Sequence, residues 1–382
     1  MRIPAASRTP RTVVYVHATD IVAGGERSLV NLIRHLDPAR FRARVACDAT
    51  DEFVAVVAAS APVERLRCPG FRPPGPAALR AVRRLAQICR HADAAILHAN
   101  TPRTNLYAAV AGRLAGVPVV WHCRNLLEPG MRDTDRRFAW LPDRIICNSA
   151  AIAARFAGSR WQDRVTTIVN GVDLGEFRPG ISGAAIRAEL GWAGRRIIAA
   201  ISRLDPAKGH DVLLAAMQRL AARCPDARLL IAGRAAADPE ARHVALLRRI
   251  ESLGLGETVR LAGFRRDIPE LLAAADVCVL PAAAEACGRV LLEAMAMAKP
   301  VVGTASGGTP EIVQDGVTGI LVPPGDGGAM AEALEILLRD PARAGSMGAA
   351  GRDRAAAHFT IEAHAEKTMR VYTEILAARG AS

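Results

Sequence analysis

Two Rossmann-like α/β halves are predicted by three observations. Short apolar runs that read as buried parallel strands alternate with helix-forming stretches. The alternation closes near residue 177 and restarts near 196. The 382 residues are long for one domain and comfortable for two. The expected division is a polar tail at 1–11, a first domain at 12–177, a second at 178–358 and a closing helical segment at 359–382.

In the first half, Thr12–His17 reads as a strand that runs through a Gly-bearing turn, Ala18–Gly25, into the helical stretch ERSLVNLIRHL. Such a turn lets a phosphate approach the backbone in many folds, though alone it is a weak signal. Strand and helix then alternate: Ala43–Cys47, Glu52–Ala59, Val63–Arg67, Pro76–His91, Ala94–His98, Arg103–Ala115, Pro118–His122 and Arg144–Cys147. Asn148-Ser149 caps a short helix. Helix 76–91 carries Leu79, Val82, Leu85, Ala86 and Cys89 on one face and Arg80, Arg83, Arg84 and Arg90 mostly opposite. That pattern suits a surface helix or contact with an anionic membrane. His98 and His122 each end a strand, where a parallel sheet presents its ligand crevice. His98 is expected to be structural. Arg124 lies two residues beyond His122 and suits a phosphate or an acceptor.

In the second half, strand Arg196–Ile201 leads into SRLDPAKGHDVLL, where Arg203 and Lys208 lie five residues apart before a helix. Two cations on such a loop can clamp a diphosphate, the Arg as a fork and the Lys as a point charge. Lys occurs only at 208, 299 and 367, so its use here marks a place where Arg does not serve. Arg228–Ala232, Glu240–Leu253 and Val259–Leu261 continue the alternation. Strand Val277–Leu280 then enters a small-residue loop ending at Gly288, followed by the helix RVLLEAMAMA, stopped by Pro300. Glu285 sits at the mouth of that helix and Glu293 a turn or so into it. The helix start suits a phosphate, and the two carboxylates suit hydroxyls on either side of it. A buried helix start with Glu293 as a solvated charge fits the spacing equally well. Val301–Thr304, Gly319–Val322 and three helical segments close the chain.

Glu285-x7-Glu293 with LLEAMA around the second Glu and GGTPEIV after it resembles the retaining glycosyltransferases of family 4. The resemblance implies the GT-B fold, with two Rossmann-like domains facing across a cleft and a last helix crossing back to the first domain. It implies that Glu285 meets the donor sugar and Glu293 the ribose. Arg203 and Lys208 match the pyrophosphate-binding pair, His122 the histidine at the donor sugar, and Arg265, in the loop Gly263–Ile268, a contact to the base. Cys287 and Gly288 line the donor site, although Ala286-Cys287 stands where the family usually has Gly-Phe or Pro-Phe. Ala23-Gly24-Gly25-Glu26 stands where it has Gly-Gly-x-Glu; Ala23 replaces the first Gly, and Gly24 and Gly25 are expected near the donor phosphates.

The implied reaction moves a glycosyl group, with retention, from a nucleoside diphosphate sugar to a hydroxyl. His122, Arg203, Lys208 and Glu285 are its expected catalytic residues, by a front-face route without a covalent nucleophile. No cofactor or metal is expected, since no metal-ligand spacing occurs. An epimerase of the same fold and a non-catalytic scaffold are the rival readings. A nicotinamide dehydrogenase is disfavoured, because Gly24-Gly25 is not a Gly-x-Gly-x-x-Gly fingerprint.

Net charge is +12, with +10 carried by residues 1–176. This favours an anionic or lipid-linked acceptor, or an anionic membrane met through 76–91. Nucleic acid is disfavoured by the 4% aromatic content and the absence of a reading motif. The eight Cys are scattered and read as reduced core residues. Residues 1–11 lack an apolar signal core and no run is long enough to span a bilayer. The expected location is the cytoplasm, at the inner face of the membrane, in cell-surface polysaccharide or glycolipid synthesis.

Overall fold

The computed structural model describes residues 9–19, 24–69, 75–127 and 130–380. Most of the expected tail, 1–8, and 20–23 of the first turn, with Ala23, lie outside the described residues. The chain divides into two compact units, residues 1–171 with 361–382, and residues 172–360.

In the first unit the strands are β1 (Arg11–Ala18), β2 (Phe41–Asp48), β3 (Val63–Arg65), β4 (Ala94–Ala99), β5 (Val119–Cys123), β6 (Arg144–Cys147) and β7 (Val165–Thr167). They pair in parallel in the order β3-β2-β1-β4-β5-β6-β7. In the second unit they are β8 (Arg196–Ile201), β9 (Ala227–Ala232), β10 (Val259–Leu261), β11 (Val277–Leu280), β12 (Val301–Thr304) and β13 (Ile320–Val322), in the order β10-β9-β8-β11-β12-β13. The near-continuous apolar strands are explained by helices on both sheet faces; β11, for example, is buried at every residue. Each sheet reverses direction of growth beside its first strand, between β1 and β4 and between β8 and β11. Ligands of doubly wound sheets gather at that switch point, outside the carboxyl ends of the strands.

The join between the units falls after Gly171, a few residues before the 177/178 join expected from the sequence. The physical reason is local pairing: Val172 bridges Thr360 in parallel, and its N–H donates to the Phe359 carbonyl at 2.8 Å. The segments entering and leaving the second unit thus run side by side. The final helix, Ile361–Gly380, completes the first unit. Ile361, Ala365, Thr368, Tyr372 and Ile375 are buried at helical spacing. Ala365, Met369, Tyr372 and Ile375 join the core built on Val13, Tyr15, Leu29, Leu32 and Phe53. The Tyr372 hydroxyl lies 3.1 Å from that of Tyr15.

Helix Pro76–His91 turns Val82, Leu85, Ala86 and Cys89 inward and packs on helix Pro102–Ala115. Its apolar face is therefore spent on the core, leaving Leu79 and the arginines outside. No helix among the described residues is long and apolar enough to cross a membrane.

A buried ion cluster stiffens the first unit after β5. Arg155 grips Asp133 at 2.6 and 3.0 Å and Asp135 at 3.1 Å, and Asp135 accepts from Asn105 at 2.8 Å. Burial works to raise the Asp133 carboxyl, but the Arg155 guanidinium and the Arg136 backbone N–H prevail and hold it below its ordinary range. A depressed folded-state value contributes stability above the unfolded carboxylate range, near pH ~3.9, and loses it as pH falls through the folded value. Arg155→Met should therefore cost roughly 3 kcal/mol at neutral pH by stranding two carboxylates. The deficit should shrink on acidification below the carboxylate range. Urea midpoints of wild type and variant at neutral and acid pH measure this; equal midpoints at neutral pH would contradict it.

Candidate active site

The second unit's switch point is built from the loops that follow β8 and β11. After β8 the chain makes a tight turn, Pro206–Lys208, and the Ala207 carbonyl accepts from Ala283 N–H at 3.1 Å, tying the two loops together. Lys208 Nζ reaches Glu285 Oε2 at 2.6 Å, with the two side chains 18% and 14% exposed. Glu285 Oε1 accepts from the Cys287 backbone N–H at 3.3 Å. Burial pushes the Glu285 carboxyl up, but the Lys208 charge and the Gly288 and Cys287 backbone donors outweigh it, so its pKa is lowered. Glu285 is thus ionised at neutral pH. Gly288 caps helix Arg289–Ala296 with φ +63°, and Cys287 is buried beside it.

The loop carrying Glu285 is bracketed from the far side. Gly308 N–H donates to the Glu285 carbonyl at 2.8 Å, and Ser306 Oγ donates to the Ala283 carbonyl at 2.7 Å. Gly307 lies at φ +56°, and a Cβ there would sit 2.0 Å from the Glu285 carbonyl oxygen. Gly209, at φ +73°, faces the Pro281 carbonyl oxygen as closely, 2.0 Å from a Cβ. Only glycine fits either place.

Arg203 shares the loop of Lys208, with its guanidinium 44% exposed and 3.0 Å from Asp205. Glu293 is not a solvated charge: it is 4% exposed and paired with Arg289, one turn earlier, at 3.2 Å. Arg265 is engaged elsewhere in the unit, forking onto Glu189 at 2.6 and 3.0 Å and onto Asp267 at 2.9 and 2.6 Å. The structure therefore gathers Lys208, Glu285, Cys287 and Gly288 into one cluster, with Arg203 and Glu293 on its two elements, and commits the guanidinium of Arg265 to two carboxylates.

In the first unit, the sheet reversal lies between His17 on β1 and Asn100 just after β4. His122, on β5, is fully buried, and the neighbouring Arg124 is nearly so. Arg124 Nη2 lies 3.1 Å from His122 Nδ1. Its other nitrogens donate to Asn100 Oδ1 at 3.0 Å, Ser28 Oγ at 2.9 Å and Asn170 Oδ1 at 2.8 Å. Gly24 and Gly25 form the first turn of helix Gly24–Arg34. Among the described residues, a Cβ at Gly25 would meet Arg124 Cδ at 3.9 Å, an ordinary contact distance. His98 bonds to the Tyr372 hydroxyl through Nδ1 at 2.6 Å, as a structural histidine would. Ser28, Asn100, Asn170 and His364 belong to this polar core but carry no motif that marks them, except that Asn170 opens the NGVD string.

A model described as Glycosyltransferase Family 4 matches residues 22–176, and one described as Glycosyl transferases group 1 matches residues 195–340. The chain belongs to the family 4 glycosyltransferases. A D-inositol 3-phosphate glycosyltransferase from a Mycobacterium species is 38% identical over 206 residues, covering 52% of this chain and 46% of the relative. The chain thus spans about half the length of the curated relatives it matches. Among solved structures, HepE of Anabaena, crystallised with UDP and glucose, superposes with a TM-score of 0.85 at 26% identity, covering 94% of this chain and 99% of that one. A sucrose-phosphate synthase from Thermosynechococcus elongatus, at 23% identity and a TM-score of 0.78 over 96% of this chain and all of its own, shares the fold. The GT-B architecture expected of a family 4 member is the one observed in both units' sheets.

Proposed function

We propose that this family 4 glycosyltransferase transfers a sugar, with retention and without a metal, from a nucleoside diphosphate sugar to a hydroxyl. The observation that carries the reading is the Lys208–Glu285 pair, 2.6 Å apart at the second sheet's switch point and at the start of a helix. There the ammonium, the exposed Arg203 and the orphan N–H groups after Gly288 supply positive potential for a leaving diphosphate. Glu285, ionised and anchored by Lys208, accepts hydrogen bonds from donor-sugar hydroxyls. Glu293, set one turn into the same helix by Arg289, suits the ribose. The family resemblance assigns His122 to the donor sugar near the reacting carbon, and Gly24 and Gly25 to the donor phosphates. Arg265 contributes to base binding by bracing its loop, given its engagement with Glu189 and Asp267. The metal-free reading rests on charge compensation of the leaving diphosphate by Arg203 and Lys208.

HepE was crystallised with UDP-glucose, which makes UDP-sugars the first donors to test. The D-inositol 3-phosphate glycosyltransferases are named for a phosphorylated acceptor, and the +10 carried by residues 1–176 suits an anionic one. The setting that fits is the inner face of a bacterial membrane, in glycolipid or surface-polysaccharide assembly. Any contact through 76–91 would use the exposed arginines, not the buried apolar face.

The test is thermal shift against UDP-, GDP- and ADP-sugars in the presence of EDTA. A donor at a hundred times its Kd adds about 2.7 kcal/mol to the native state. One responding donor is expected, with turnover unaffected by the chelator. No response across the panel would overturn the donor reading, and activity lost in EDTA but restored by a divalent cation would overturn metal independence.

A further inference from the structure

We propose that Arg124 is a positioning residue that locks His122 as the Nε2–H tautomer, so that His122 acts as a fixed hydrogen-bond donor and never as a base. A neutral imidazole has one donor nitrogen and one acceptor nitrogen, and its partner decides which is which. A guanidinium has donors only and does not deprotonate in proteins. Because Arg124 Nη2 faces His122 Nδ1 at 3.1 Å, Nδ1 must be the acceptor. The proton is then on Nε2. That atom is fully buried and has no hydrogen-bond partner among the described residues. Leaving a buried N–H without an acceptor costs about 1–3 kcal/mol, which is the condition of a donor held for a ligand oxygen.

The surrounding polar core supports a fixed direction for every bond. Arg124 Nε donates to Asn100 Oδ1, which leaves the Asn100 amide nitrogen to donate to His17 Nδ1 at 3.2 Å. His17 Nε2–H then donates to Glu26 Oε1 at 3.1 Å. Arg124 Nη1 donates to Ser28 Oγ and to Asn170 Oδ1, and Ser28 Oγ–H donates to Asn170 Oδ1 at 3.0 Å. One cation therefore orients His122 and also holds the helix that begins at Gly24. The groups facing His122 are Arg124, His98 from β4 with ring centres 5.4 Å apart, and His364 from the last helix at 6.2 Å. Beyond His98 stands Tyr372. His364 Nδ1 donates to the Val169 carbonyl at 2.9 Å. None of these groups is an anion that would favour a charged imidazole. Burial, then Arg124, then the two histidines hold the His122 pKa well below its ordinary value. His122 stays neutral at working pH.

That the Nε2–H meets a donor-sugar oxygen rests on the glycosyltransferase reading; the tautomer itself does not. The experiment is 15N NMR of the full-length protein labelled at histidine, with His122 assigned by the signals missing from His122→Asn. From about pH 5 to 8, the window in which an ordinary histidine titrates, wild type is expected to show Nε2 protonated and Nδ1 bare throughout. In Arg124→Met, Nδ1 loses its partner; the second tautomer should appear, and the His122 pKa should rise while burial still holds it below its ordinary value. A protonated Nδ1 in wild type, or an Arg124→Met spectrum identical to wild type, overturns the proposal. If Arg124→Met does not fold, the wild-type spectrum decides alone. Donor binding is followed separately by thermal shift, so a failure of the glycosyltransferase reading would appear there and not in the nitrogen spectrum.

Discussion

Lys208→Met is expected to lower kcat about 10²–10³-fold, the usual cost of deleting one charge-stabilising donor aimed at the transition state. Two effects combine. The leaving diphosphate loses a point charge that acts in a site sheltered from water. Glu285 also loses the partner that outweighs its burial, so its carboxyl pKa rises and it is a poorer anchor for sugar hydroxyls. Lys208→Arg should not rescue, because a broad planar fork replaces a compact ammonium in a 2.6 Å contact on a turn that Gly209 keeps tight. Steady-state kinetics with the donor found by thermal shift measure the effect. A Lys208→Met enzyme turning over near the wild-type rate would remove Lys208 from the chemistry.

Gly307→Ala is expected to cost about 10²-fold in kcat/KM by displacing the Glu285 loop on the scale of an ångström. The added Cβ would lie 2.0 Å from the Glu285 carbonyl oxygen, and backbone is what must move. The left-handed φ adds roughly 1–3 kcal/mol of strain. Gly316→Ala is the matched control: it shares a positive φ, +72°, but its Cβ would meet nothing within 4 Å. Its melting temperature should fall from strain alone while kcat/KM holds. Equal activity in the two variants would show that the contact with Glu285 does not position the site.

Much of this arrangement is legible in the sequence because it is local. The apolar run Val277–Leu280 can only be a buried strand, and a loop followed by helix formers places Glu285 at a helix mouth. Lys208 stands out because the chain uses Arg at nearly every other basic position. What stays hidden depends on residues far apart along the chain. Nothing near Arg265 announces Glu189, 76 positions away, and nothing near His98 announces Tyr372, 274 positions away. The alternative of a solvated Glu293 fails for the same reason: helical spacing gives Arg289 as a neighbour, but burial depends on the whole unit. Helix Ile268–Ala274 was legible in principle. Pro269 in its first turn after Asp267 is a start signal, set in a stretch that otherwise reads as a ligand loop. Helix Ala184–Leu190 buries only Ile186, too little to print a periodic pattern.

The return of helix Ile361–Gly380 to the first unit sets a clock on synthesis. The first unit's core includes Tyr15 and Tyr372, and the whole of residues 172–360 is made between its two parts. At about 5–20 residues per second, β1 waits on the order of twenty to seventy seconds for the helix that covers it. During that interval the second unit has all of its own residues and can fold first. The half that begins the chain is thus the half that finishes last, and its exposed sheet face is what a chaperone would meet on the ribosome.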